Sequence, residues 1–372
     1  MGMSPRVGSN GCMIAFMGFR REMVGRAADL VRRSRDVALQ CWLGMPPRVL
    51  RRFSGGKTVV DGQELDAHVQ ALLFAMRVAR IRDPDGVEAA RRAMEENLRA
   101  IAPRRAAMRE MRDLTLTTPA ASLRARLYVP TTAPSTPPLL VFFHGGGFVV
   151  GSIASHEPAV RELASLARVA ALSVEYRLAP EHKAPTAALD ACDAYRWARE
   201  HARELGCDDR RVGVGGDSAG GNVSAVLCHL CRERGLQQPD LQLLIYPGTD
   251  FTCSMRSHEV FGSGFVLEAD RIEWYMRHYV SNMARRREPT VSPLFWPRFD
   301  DLAPAVVVTA GFDPLRDEGA AYAERLREAG VAVVYRCERS LIHGFFNMSG
   351  VIPAARDANQ RIAAEVRGVL AG

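Results

Sequence analysis

Two short segments carry residue types that could run covalent chemistry. The first is Gly216-Asp217-Ser218-Ala219-Gly220-Gly221, which follows the run Arg211-Val212-Gly213-Val214-Gly215. A serine with glycine two positions away on each side suits a very tight reversal from strand to helix. Side chains at Gly216 and Gly220 would collide in such a turn, and the strained serine is lifted clear of its surroundings. Its hydroxyl then faces the N-terminus of the next helix, where the amide of Ala219 and the helix dipole favour a developing negative charge. This is how a nucleophile for acyl transfer is presented. A dinucleotide-binding loop is the competing reading, but Gly213-x-Gly215 would then need glycine where Ser218 stands. The second segment is His144-Gly145-Gly146-Gly147-Phe148. Successive glycines let backbone amides approach a ligand and point one way. A tetrahedral oxyanion needs such donors, so Gly145 and Gly146 join Ala219 as the expected oxyanion hole. No Gly-Lys-Ser/Thr follows, which excludes a Walker-type phosphate loop.

These segments do not stand alone. Tyr176-Arg177-Leu178-Ala179-Pro180-Glu181, Tyr246-Pro247, Ser292-Pro293-Leu294, Asp313-Pro314-Leu315-Arg316-Asp317 and His343-Gly344-Phe345 accompany them. Together they resemble the hormone-sensitive-lipase-like family of α/β-hydrolase esterases, also called bacterial family IV. Asp217 before the serine is similar to that family's GDSAG subgroup. The resemblance runs over about 64–370. It implies an α/β-hydrolase fold with a helical cap, and a serine carboxylesterase acting on a small-molecule ester without metal or organic cofactor. The cap would comprise N-terminal helices and an insertion at about 250–290. A cap of modest size implies short- to medium-chain esters over long triglycerides. A homodimer through the last strand and helix is compatible with the same resemblance. Two alternatives share these residues: a non-catalytic ligand-binding relative, as the plant gibberellin receptors are, and a deacetylase, lactonase or amidase using the same groups.

The general base and its carboxylate partner can be sought along the chain, since the order in this fold is nucleophile, acid, histidine. His229 lies on the helix that starts at the serine, and His258 and His278 fall in the insertion. His343 follows the last strand by a short loop and is the expected base. The acid belongs in a loop after a strand and before His343. Ala305 to Thr309, then Gly311-Phe312-Asp313-Pro314, fits, and Asp313 would hold the imidazole's other N–H. Asp317 is the competitor, though it suits a helix cap or a local ion pair. Glu338 lies in the last strand's exit with no motif behind it. Tyr176, Arg177 and His144 read as structural. Trp274, Tyr275 and Tyr279, at helical spacing, suit either packing or the lining of a pocket.

The elements that must position these groups alternate. Leu139 to Phe143 is wholly apolar, the mark of a strand buried on both faces. Asp113 to Thr118, Leu123 to Val129, Val169 to Val174, Arg211 to Gly215, Leu241 to Tyr246, Ala305 to Thr309 and Val331 to Tyr335 read as further strands. Segments 156–167, 185–204, 218–234, 317–329 and 353–370 read as helices between or after them. This is an α/β protein with a mostly parallel sheet. Helical patterns also span 17–43, 64–80, 87–108 and 268–280, with Asp83-Pro84-Asp85-Gly86 as a turn.

The 372 residues are 47% hydrophobic and 24% charged, which excludes disorder, collagen and a polytopic membrane protein. The net charge of +7 is unevenly placed. Residues 1–54 hold ten arginines against three acids and so carry all of it, while the rest balances. A nucleic-acid partner is therefore not indicated. This basic amphipathic N-terminal extension (1–54) suits weak contact with an anionic membrane surface, or an added cap or interface helix. It precedes an N-terminal helical cap at 55–110 and a catalytic domain at 111–372. The apolar stretch from Gly11 to Phe19 runs into arginines without a cleavage site. Eight scattered cysteines suggest thiols in a reducing, cytoplasmic compartment, and Cys228-x-x-Cys231 lacks the second ligand pair of a zinc site.

Overall fold

The computed structural model describes residues 34–80 and 84–371. The Gly11–Phe19 stretch and the first half of the helix expected over 17–43 lie outside these residues. The described part of that helix, α1, covers 34–43. Next come α2 (Pro47–Phe53), a hairpin of β1 (Val59–Val60) and β2 (Gln63–Glu64), α3 (Ala67–Val78) and α4 (Val87–Ile101). The remaining strands are β3 (Met108–Thr117), β4 (Ser122–Pro130), β5 (Leu139–Phe143), β6 (Ala170–Glu175), β7 (Val212–Asp217), β8 (Gln242–Ile245), β9 (Ala305–Phe312) and β10 (Val333–Ile342). Between and after them run α5 (Ile153–Ala167), α6 (Thr186–Glu200), α7 (Ala219–Glu233), α8 (Arg256–Phe261), α9 (Ala269–Tyr279), α10 (Arg316–Glu328) and α11 (Pro353–Ala371).

Strands β3 to β10 form one eight-stranded sheet in the order β10-β9-β8-β7-β5-β6-β4-β3. Pairing is parallel from β10 through β6, and antiparallel at β6/β4 and β4/β3. Both faces are covered. Leu139, Val141 and Phe143 of β5 point into a core built with α6, α7 and α10, whereas Leu140 and Phe142 point into one built with α5 and α11. That two-sided burial is why the β5 sequence shows no polar alternation. Because the parallel strands share a direction, the segments after β5, β7, β9 and β10 all emerge at one edge, where ligands of open α/β sheets bind. No helix among the described residues is long and apolar enough to cross a membrane.

Several boundaries move. The helix expected over 87–108 ends at Ile101, because Ala102 precedes Pro103 and is forced into extended backbone (ψ 152°). The sheet then starts at Met108, slightly before the expected domain start at 111. The larger change concerns 34–53. This part of the expected extension is not separate, for it packs on α3 and α4. Helix α2 was missed behind Pro46-Pro47, yet a proline at the first helical position is favourable. Leu43 and Leu50 are buried with Leu65, Val69 and Leu72. Trp42 Nε1 donates to Ala71 O at 3.2 Å, and Gln40 Nε2 to Ala100 O at 3.3 Å. Leu50 is 0% exposed, so Leu50→Ala should lower unfolding free energy by about 2–5 kcal/mol in guanidinium titrations. A change within about 0.5 kcal/mol, the surface range, would mean that 34–53 is dispensable to the fold.

Candidate active site

Ser218 sits where β7 turns into α7, with φ 56° and ψ −116°. A non-glycine residue adopts such a backbone only where its surroundings impose it. The imposing contact is the end of β5. A Cβ at Gly220 would stand 1.9 Å from Phe143 O, and one at Gly216 2.2 Å from the same atom. The glycines thus let the turn press against β5 while the serine hydroxyl stays exposed to the site. Ser218 also donates its amide to Ile245 O of β8 at 2.8 Å.

The expected partners converge on it. His343 Nε2 lies 2.9 Å from Ser218 Oγ, and His343 Nδ1 lies 2.8 Å from Asp313 Oδ2. Asp313 is fully buried at the end of β9, and its second oxygen accepts the Leu315 amide at 2.9 Å. His343 follows β10, and Gly344 turns the chain behind it with φ 84°. The competitors go elsewhere. Asp317 pairs with Arg316 at 2.7 Å and accepts the Ser257 amide. Glu338 pairs with Arg361 at 2.6 Å.

The oxyanion donors require a correction. Gly145 donates its N–H to Asp217 Oδ1 at 2.9 Å, so that amide is already engaged behind the site. Gly146 and Gly147, both at positive φ, line the cavity beside Ser218 and Ala219. Among the described residues no hydrogen bond takes up the amides of Gly146, Gly147 or Ala219. The available donors are therefore Gly146, Gly147 and Ala219. Three glycines in a row do not reveal which amide faces inward. The fixed partner, Asp217, does.

Asp217 is itself the residue whose part was not legible. Besides Gly145 it accepts the Tyr246 hydroxyl at 3.3 Å and Asn347 Nδ2 at 3.5 Å, and His156 Nε2 stands 3.4 Å away. Burial pushes its carboxyl up, but His156 and the Gly145 amide outweigh that and hold it below the ordinary value. The carboxylate thus ties the glycine loop to the residue after β8 and to the loop after His343. His144 is buried and pushed down to about 3 by desolvation, hence neutral. It stacks on Tyr176, whose hydroxyl donates to His144 O at 2.7 Å. Arg177 pairs with buried Asp190. These three are structural, as expected.

Ser218 and His343 open into a cavity of about 510 Å³, walled mainly by apolar side chains of α1, α3, α4 and α9. Tyr275 lies over Gly147, where a Cβ would be 2.2 Å from its ring. Tyr279 instead packs face to face on Phe148 at 3.8 Å. His258 is held by buried Glu318 at 2.8 Å, and His229 by Tyr322 at 3.0 Å. Cys228 and Cys231 are buried free thiols. Among the described residues no group of three or more His, Cys, Asp or Glu side chains could hold a metal ion.

Comparison with known proteins agrees with this fold. A family model described as alpha/beta hydrolase fold matches residues 140–347. The chain is 42% identical over 317 residues to the carboxylic ester hydrolase LipN of Mycobacterium tuberculosis, covering 82% of this chain and 83% of that protein. It is 39% identical over 301 residues to an ethyl acetate hydrolase of Pseudomonas putida, covering 78% and 94%. Among solved structures, an esterase of Pyrobaculum calidifontis superposes with a TM-score of 0.75 at 36% identity, covering 82% of this chain and 98% of that one. With its sheet order, its strained serine and these relatives, the chain belongs to the α/β-hydrolase family.

Proposed function

We propose that this chain is a serine carboxylesterase that hydrolyses short- to medium-chain esters through an acyl-enzyme on Ser218. The observation that carries the reading is the unbroken hydrogen-bonded line Ser218–His343–Asp313, ending beside unengaged amides in an apolar cavity. His343 Nε2 takes the Ser218 proton as Oγ attacks the ester carbonyl. Asp313 accepts the Nδ1–H, which fixes the tautomer and stabilises the imidazolium. Gly146, Gly147 and Ala219 donate to the oxyanion. The alcohol leaves with the proton held by His343. Water, deprotonated by His343, then releases the carboxylic acid and restores Ser218. Retention of the base together with the nucleophile favours an enzyme over a non-catalytic binding relative. The named activities of the relatives favour esters over amides or lactones. Seven free thiols among the described residues support a cytoplasmic setting.

Three outcomes test the proposal. Ser218→Ala should lower p-nitrophenyl butyrate hydrolysis by at least about a thousandfold, and activity within tenfold of wild type would refute the nucleophile. Asp217→Asn should lower kcat by roughly ten- to a hundredfold with little change in KM. The reason is that Asp217, through its bond to the Gly145 amide, positions the oxyanion loop. An effect on KM alone would remove it from that role. Across p-nitrophenyl esters from acetate to palmitate, kcat/KM should peak well before palmitate, and a maximum at palmitate would contradict the short- to medium-chain assignment.

A further inference from the structure

A second group of nucleophilic and titratable side chains lies in the segment after β8. Asp250 accepts the Thr252 amide at 2.8 Å and the Ser254 hydroxyl at 3.2 Å. The turn so closed carries Cys253 at φ 57°, a backbone that favours glycine. Cys253 is a free, partly exposed thiol. Near it stands His258 of α8, only 8% exposed. His258 Nε2 lies 2.8 Å from Oε2 of buried Glu318. Its Nδ1 is buried and enters no well-formed hydrogen bond among the described residues. Cys253 interacts with this ring from the side away from Glu318, so Nδ1 is the nitrogen left for the thiol. The thiol's other acceptor, Phe251 O, is a long 3.8 Å away. Burial lowers His258, but the Cys253 and Glu318 side chains outweigh it and raise it to about 10. The ring therefore holds its proton at neutral pH. Fastening the segment to α10 needs only Glu318 Oε1, which takes the Thr249 and Asp250 amides at 2.7 and 3.0 Å. It does not call for a charged imidazole beside a thiol.

We propose that Cys253 is a site of thiol–disulfide exchange with low-molecular-weight disulfides, and that His258, oriented by Glu318, makes its thiol nucleophilic. The three side chains repeat, with a thiol, the logic of nucleophile, imidazole and carboxylate. His258 Nδ1 holds the proton of the thiol, and the Nε2–H donates to Glu318. An imidazolium facing sulfur favours the thiolate. Cys253 Sγ attacks one sulfur of the disulfide. A new S–S bond forms as the old one breaks, and the departing thiolate takes the proton from Nδ1. Cys253 is thereby oxidised to a mixed disulfide and the released half is reduced to a thiol, so no further oxidant is needed. The site lies two residues from Phe251, a wall of the cavity at Ser218, yet its chemistry is independent of the esterase reading.

The test treats the full-length protein with the neutral reagent hydroxyethyl disulfide, quenches with acid, and follows each cysteine by peptide mass spectrometry. At about pH 6 an isolated thiol is only about 0.3% ionised. Pairing with an imidazolium multiplies that fraction by more than the accompanying fall in nucleophilicity takes away, leaving a gain of about tenfold. Cys253 should therefore form its mixed disulfide about tenfold faster than Cys41, although Cys41 is the more exposed of the two. His258→Gln should slow Cys253 by about tenfold and leave Cys41 within about twofold. A wild-type Cys253 no faster than Cys41 overturns the proposal. So does a Cys253 rate in folded His258→Gln within about twofold of wild type. Labelling of Cys228, which is 0% exposed, identifies a variant that has unfolded, and the wild-type ratio then decides alone. Because the readout is the peptide adduct, the result stands apart from any loss or gain of ester hydrolysis.

Discussion

The approach of the Ser218 turn to the end of β5 is the contact on which the site depends. Phe143 O lies where a Cβ of Gly220 or Gly216 would have to be. That closeness forces Ser218 into its strained backbone. It also brings the amide at the start of α7 and the glycine loop after β5 to one point. The proposed nucleophile and oxyanion donors are thus two ends of a single steric constraint. Neighbouring parallel strands supply the rest: β9 delivers Asp313 and β10 delivers His343, each immediately after its last residues at the same edge.

A second layer keeps that edge in register. Asp217, one residue before Ser218, takes the Gly145 amide and the Tyr246 hydroxyl, with Asn347 and His156 close by. A buried carboxylate with several donors is costly to disturb, because any partner removed leaves charge unsolvated. Its position explains why the first glycine of His144-Gly145-Gly146-Gly147 faces away from the cavity. The loop is held by its first glycine and presents the next two. His258 with Glu318 plays a comparable part under the insertion. Glu318 accepts the amides of Thr249 and Asp250 as well as the His258 contact, which fastens the segment after β8 to α10.

Much of this was legible in the sequence for identifiable reasons. The α/β alternation, β5 residue for residue, and Ser218, Asp313 and His343 all follow from local patterns whose physics is short-range: apolar runs, glycine spacing, and the order of loops after strands. The failures share a cause as well. Which of three adjacent glycines offers its amide depends on a carboxylate 72 residues away. That 34–53 packs into the fold depends on Trp42 and Leu50 meeting α3 across the chain, which a count of arginines obscures. Helix α4 ends at Ile101 because of Pro103, a local signal that the apolar spacing past it outweighed.

The central claim is that Ser218 Oγ is the atom that becomes acylated. A fluorophosphonate bearing a small alkyl group reacts with an activated serine and stays bound. Intact-mass and peptide mass spectrometry of the treated protein should show one adduct, on the peptide containing Ser218, and none in Ser218→Ala. An adduct on another residue, or an unmodified wild-type protein under conditions that label a known serine esterase, would contradict the account.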